Sequence, residues 1–147
     1  MGWLTQLHGK TVGLDTAPLI YFIEKHPEFH PRVRPFFQAM ERGDFEVVTS
    51  TITITEVLVH PIRQGNTTLA ETYRDILQNA NHLRTVPITA DVAETAARLR
   101  ATTAFRTPDA IQAATAIVMQ AEFFLTNDVR LSVMTNPTVL VLGNLTE

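Results

Sequence analysis

The sequence predicts an α/β domain in which a largely parallel sheet carries helices on both faces. Three observations predict it. Short apolar or β-branched runs alternate with longer segments of helical periodicity, which is the pattern of βαβ units. The 147 residues suffice for one hydrophobic core, so a single domain over residues 1–147 is expected. The apolar fraction of 45% is enough for a packed interior and argues against a disordered chain.

The elements follow in order. Thr11-Val12-Gly13-Leu14 is a short apolar strand that ends at Asp15. Ala17 to Lys25 reads as a helix, with Pro18 tolerated in its first turn. Arg32 to Arg42 reads as a second helix, closed by Gly43. Phe45 to Thr49 is the second strand. The run Ser50 to Thr55 is β-branched and alternating, which favours a strand. Glu56 to His60 reads better as helix, so the strand is expected to stop near Ser50 and a helix to start soon after, with Pro61 kinking or ending it. Leu69, Tyr73, Ile76, Leu77 and Ala80 recur at helical spacing, as do Val92, Ala96 and Leu99, with a short strand expected over Thr85–Ile88 between them. Asp109 to Gln120 is an alanine-rich helix, Phe123 to Thr126 a strand, and Val139 to Leu142 the last strand.

Composition narrows the chemistry. The absence of cysteine excludes disulfides, thiolate nucleophiles and cysteine-ligated zinc, and it fits a reducing, cytoplasmic setting. Met1 to Lys10 shows neither the apolar core nor the cleavage pattern of a signal peptide. The most apolar stretch, Ala110 to Leu125, is interrupted by Gln112, Gln120 and Glu122 and is too short to span a bilayer, so no membrane partner is expected. A net charge of −3 runs against simple electrostatic binding of nucleic acid. It is compatible with a site that gathers carboxylates to recruit divalent cations.

Such a site is suggested by four acids. Asp15 stands at the carboxyl end of the first strand, Glu56 in the first turns of the helix after the second, Asp109 at the start of a helix, and Asp128 just after the Phe123–Thr126 strand. In an open parallel sheet these positions share one edge, and ligands bind there, at the point where strand order reverses. Converging carboxylates repel one another unless a cation neutralises them. Hard oxygen donors suit Mg²⁺ or Mn²⁺, which bind phosphate oxygens and promote phosphodiester hydrolysis. Each acid also has a purely structural reading. Thr107-Pro108-Asp109 has the form of a capped helix start, Thr53 and Glu56 match a capping box, and Asp15 and Asp128 fit loop or cap positions.

Four segments carry a resemblance: Leu14-Asp15-Thr16-Ala17-Pro18-Leu19-Ile20-Tyr21, Ser50 to Leu58, Thr107-Pro108-Asp109 through Ala116, and Leu125-Thr126-Asn127-Asp128. In order and spacing they resemble the PIN-domain family, and within it the VapC toxin components of toxin–antitoxin pairs. The resemblance spans nearly the whole chain. It implies a three-layer α/β/α fold and a Mg²⁺- or Mn²⁺-dependent ribonuclease. Asp15, Glu56, Asp109 and Asp128 map onto the family's metal-binding and catalytic acids, Thr126 and Asn127 onto the polar residues before the last acid, and Thr16 onto the small polar residue after the first. It also implies a homodimer with a cognate antitoxin. Two features depart from the family pattern: Ala17-Pro18, and Val129-Arg130-Leu131 after Asp128, which lacks the aromatic that often follows.

On this reading Asp15, Glu56 and Asp109 hold one or two ions and Asp128 completes the shell, directly or through water. Thr16, Ser50 and Thr126 are candidates to orient water or the scissile phosphate. Arg98, Arg100, Arg106 and Arg130 are candidates for phosphate contact, with Arg106 foremost because it is nearest to Asp109 in sequence. His26 and His30 have helical spacing, but Pro27 and Pro31 disturb it and no HExxH pattern is present. Trp3, Phe36 and Phe37 read as core, staple or dimer contacts before base contacts. Two other functions are compatible with the fold. One is a catalytically silent PIN-like module that binds protein or RNA, disfavoured because all four acidic positions are filled. The other is a phosphotransfer domain with Asp15 as acceptor. It lacks the needed lysine, since Lys10 and Lys25 are the only lysines and neither ends a later strand, and Ala17 stands where a second acid would be needed.

Overall fold

Residues 2–145 are described by a computed structural model. The sheet comprises β1 (Thr11–Leu14), β2 (Glu46–Ser50), β3 (Leu83–Val86), β4 (Phe123–Thr126) and β5 (Thr138–Val141). Their order is β3-β2-β1-β4-β5, and every neighbouring pair is parallel. The chain builds outward from β1 to β2 and β3, then crosses back to place β4 on the other side of β1. The strand order therefore reverses between β1 and β4, which puts the ligand-binding crevice of such a sheet at their carboxyl ends.

The helices are α1 (Thr16–Ile23), α2 (His30–Arg42), α3 (Ile52–Gln64), α4 (Thr67–Asn79), α5 (Ala90–Thr102) and α6 (Thr107–Val118). Side-chain alternation along the strands separates two cores. Val12, Leu14, Val47 and Leu125 pack with α1–α4 around Phe36, Phe37, Met40 and Tyr73. Phe124 faces the other way and packs with α5 and α6 around Ala113, Ala116 and Val92. The result is the predicted three-layer α/β/α arrangement. Alanines let α6 lie close against the sheet: a Cβ on Gly13 would stand 2.6 Å from the Ala116 Cβ and 2.9 Å from Phe124 Cδ1. Trp3 stacks on Phe36, and Phe36 and Phe37 are buried, so these aromatics are core as expected.

Local expectations are corrected in four places. Pro61 does not end α3, which runs on to Gln64 and closes at Gly65 with φ 67°. Pro61 is buried there, so packing offsets the backbone bond it cannot make. The edge strand β3 sits at Leu83–Val86, earlier than Thr85–Ile88, because its register follows Val47–Ser50 of β2. The helix carrying Asp109 begins at Thr107 with Arg106 as its cap, so Thr107 is not the cap. Its hydroxyl instead accepts a bond from Arg100 Nη1 at 3.0 Å. Thr53 and Glu56 do not form a capping box, since Thr51 is the N-cap of α3 and makes no side-chain capping bond. Among the described residues no helix is long and apolar enough to cross a membrane.

Candidate active site

All four predicted acids line one cleft of about 320 Å³, together with Thr16 and Tyr21. Asp15 caps α1 immediately after β1, and its amide donates to the Leu125 carbonyl of β4 at 2.9 Å. Both its carboxylate oxygens are engaged: Oδ1 accepts from the Thr16 amide at 2.8 Å and Oδ2 from the Thr126 hydroxyl at 2.7 Å. Glu56 reaches in from α3 and accepts the Thr16 hydroxyl proton, Oγ1 to Oε1 2.5 Å. Asp109 stands in the first turn of α6, its side chain 17% exposed. Asp128 caps the 3₁₀ turn Val129–Val133 and accepts the Arg130 amide at 3.0 Å. A larger groove of about 800 Å³, between α2 and α4 and lined by Phe22, Met40 and Ile76, contains none of these acids.

Behind Asp15 and Glu56 lies a buried polar network whose proton directions can be assigned. Thr49 donates to the Leu14 carbonyl at 2.9 Å. A hydroxyl has one proton, so in the 2.9 Å contact between Thr49 and Thr53 the donor is Thr53. Thr53 must then accept from Gln112 Nε2 at 2.6 Å, and the same nitrogen donates to Thr16 Oγ1 at 2.9 Å. That leaves the Thr16 proton for Glu56. Gln112, 2% exposed, thus sets which way Thr16 points and aligns Glu56 through it. Among the described residues no buried side-chain nitrogen or oxygen lacks a partner.

The electrostatics divide the cleft in two. Burial pushes the Asp15 carboxyl up to about 6; the bonds from Thr126 and Thr16 hold it down in part, and the charges of Asp109 and Glu56 raise it further. Among the described residues no basic side chain forms an ion pair with Asp15 or Glu56, whereas Asp109 and Asp128 both do. Hydrogen bonding from the Arg130 side chain holds Asp128 below the usual carboxylate range.

The remaining predicted residues take distinct places. Thr126 is fully buried and serves Asp15 and the Asp128 amide, which donates to its hydroxyl at 3.0 Å. Asn127 ties the cleft together: its Nδ2 donates to Tyr21 Oη at 3.1 Å and its Oδ1 accepts the Gly143 amide at 2.9 Å. Ser50 is fully buried, its hydroxyl accepts the Ile52 amide, and it is not part of the cleft wall. Arg106 is exposed at the rim, Nε 3.5 Å from Asp109 Oδ2. Arg98 pairs with Glu94, and Arg100 with the Phe105 carbonyl, so neither is directed to the acids. Residue patterns alone passed over Gln112 and Thr53. The available signal was a buried amide on an alanine-rich helix face, one turn beyond Asp109.

The donor set suits a hard divalent cation. Its atoms are carboxylate oxygens, and Asp15 and Glu56 have only neutral groups as partners. Among the described residues no three or more acids or histidines stand close enough together to hold a metal ion between them.

Comparison with known proteins agrees with this fold. No curated protein sequence matches the chain. Solved structures match its fold. A VapBC2 complex from Rickettsia felis bound to promoter DNA contains a chain of 16% identity and TM-score 0.68, covering 88% of this chain and 97% of its own length. A toxin–antitoxin complex from Klebsiella pneumoniae matches with 23% identity and TM-score 0.68, covering 90% and 97%. The sarcin-ricin-loop-cleaving toxin VapC20 of Mycobacterium tuberculosis matches with 16% identity and TM-score 0.63, covering 78% and 86%. At these identities the likeness concerns the fold. The family model of the PIN domain matches residues 12–136, which take in strands β1 to β4 apart from Thr11 and all of the acidic cleft, and the chain belongs to the PIN-domain family.

Proposed function

We propose that this protein is a divalent-metal-dependent ribonuclease and the toxin of a toxin–antitoxin pair. The observation that carries the reading is the convergence of Asp15, Glu56, Asp109 and Asp128 on one cleft at the β1/β4 switch point of a PIN domain. The toxins and toxin–antitoxin complexes among its structural neighbours support it, one of them described as cleaving the sarcin-ricin loop. The same reading gives the chain a protein antitoxin, a homodimeric state and a cytoplasmic site of action.

Asp15, Glu56 and Asp109 are the residues that would hold Mg²⁺ or Mn²⁺. A bound ion there supplies Lewis acidity to a phosphodiester oxygen and makes water a better nucleophile. The chain's own contribution is preorganisation. Thr126 and the Thr16 amide fix both oxygens of Asp15, and Gln112 through Thr16 fixes Glu56, so little reorganisation is needed when charge develops. Arg106 stands where it can meet a backbone phosphate approaching Asp109.

The test is cleavage of RNA by the purified protein with Mg²⁺ or Mn²⁺ and with chelator, wild type beside Asp15→Asn and Asp109→Asn. The expected result is cleavage that needs the metal and loses at least about a hundredfold in rate on either substitution. Metal-independent cleavage, or variants as active as wild type, would overturn the reading.

A further inference from the structure

Arg130 lies across the Asp128 carboxylate. Its Nε stands 3.0 Å from Oδ1 and 3.1 Å from Oδ2, and its Nη2 2.5 Å from Oδ2. The Arg130 amide also donates to Oδ1, so the residue is tied to Asp128 by backbone and side chain at once. The same Nη2 is 3.8 Å from Asp109 Oδ2, and Arg106 Nε stands 3.5 Å from that oxygen. The fixed positive charges of the cleft thus sit on the Asp109–Asp128 side, while Asp15 and Glu56 are bound only by hydroxyls and an amide.

Resting on the nuclease reading above, we propose that Arg130 is a resident counter-cation that occupies the place a second divalent ion would take. The cleft then holds one ion, on Asp15, Glu56 and Asp109, and Asp128 is a positioning residue for Arg130, not a metal ligand. A guanidinium is charged at every pH the protein meets and matches a carboxylate with two parallel bonds. An exposed ion pair of this kind is weak taken alone. Here, however, Arg130 is only two residues from Asp128, and the bond from its amide already holds the Asp128 carboxylate in place for the guanidinium. A divalent ion at Asp128 has to displace Arg130 and also sit near Arg106, with like charges opposing it at both steps.

The experiment is calorimetric titration of the purified, chelator-treated full chain with Mn²⁺, with bound ions counted independently by electron paramagnetic resonance. The variants are Arg130→Gln and the charge-matched double variant Asp128→Asn/Arg130→Gln. Arg130 is exposed, and at Asp128 the introduced amide keeps an oxygen to cap the turn. Wild type is expected to bind one Mn²⁺, the charge-matched double variant one Mn²⁺ with affinity within about twofold, and Arg130→Gln a second ion. Two ions on wild type, a tenfold or greater loss of affinity in the double variant, or a count of one in Arg130→Gln overturns the proposal while leaving the nuclease reading in place. No Mn²⁺ on any of the three proteins overturns both.

Discussion

Gln112 Nε2 lies 2.9 Å from Thr16 Oγ1, so a side chain of α6 orients the first turn of α1 across 96 residues of sequence. The contact sits in the buried network that passes from Gln112 through Thr16 to Glu56. Replacing Gln112 with leucine leaves Thr16 and Thr53 without their shared donor. A buried polar group deprived of its partner costs about 1–3 kcal/mol, and each kcal/mol lowers the melting temperature of a chain this size by about 2–4 °C. Thermal unfolding of Gln112→Leu checks this. An unchanged melting temperature would show that the network is dispensable.

Asp15 makes the metal-free protein sensitive to pH. Burial raises its carboxyl to about 6 from 3.8, so the folded state holds this proton more tightly than the unfolded state does. Its favourable contribution is whole below about pH 4 and is lost as pH rises through about 6, an effect of up to about 3 kcal/mol. In chelator, Asp15→Asn should therefore gain stability relative to wild type as pH rises from 4 to 7.5. Mn²⁺ at neutral pH should restore wild type and leave the variant unchanged. A difference in melting temperature that stays constant across this range would contradict the assignment.

Thr126 opposes that shift, since its hydroxyl donates to Asp15 Oδ2 at 2.7 Å and stabilises the ionised form. Thr126→Val removes this bond and leaves the Asp128 amide without its acceptor. The midpoint pH for Mn²⁺ binding should move upward in Thr126→Val and stay near wild type in Thr126→Ser, which keeps the hydroxyl. Calorimetric titration across a pH series reads it. Equal midpoints in all three proteins would remove Thr126 from the site's electrostatics.

Gly13 sets how closely α6 approaches the sheet. Its added methyl in Gly13→Ala would meet the Ala116 Cβ at 2.6 Å and Phe124 Cδ1 at 2.9 Å. Overpacking of this kind costs about 1–3 kcal/mol. Ala116→Gly opens the space again, so the double variant should be more stable than the sum of the two single effects predicts. Strict additivity in chemical denaturation would show that the two residues do not share the contact.

Much of this was legible along the chain. The alternation of strand and helix, the termination of the second strand at Ser50 and the closure of α2 at Gly43 are local decisions, made by period, propensity and glycine's tolerance of φ 85°. The four acids could be picked out because a parallel sheet puts every strand end and following helix start on one edge. Other features were not legible. Thr51 to Thr55 are β-branched yet lie at the start of α3, because Thr53 is drawn into the network of Thr49 and Gln112 and Val57 must be buried. Glu56 matched a capping box by spacing, and only its contact with Thr16, 40 residues away, shows a different partner.

Period and turn chemistry act between neighbours in the chain, so the fold class and the identity of the acids were determined there. The division of the cleft was decided in three dimensions. Asp128 meets the guanidinium of Arg130 two residues on, a local pairing, whereas Asp15 faces the Thr126 hydroxyl, 111 residues away, only because packed strands and helices bring it within about 3 Å. That distance is set by tertiary packing, and no spacing rule encodes it.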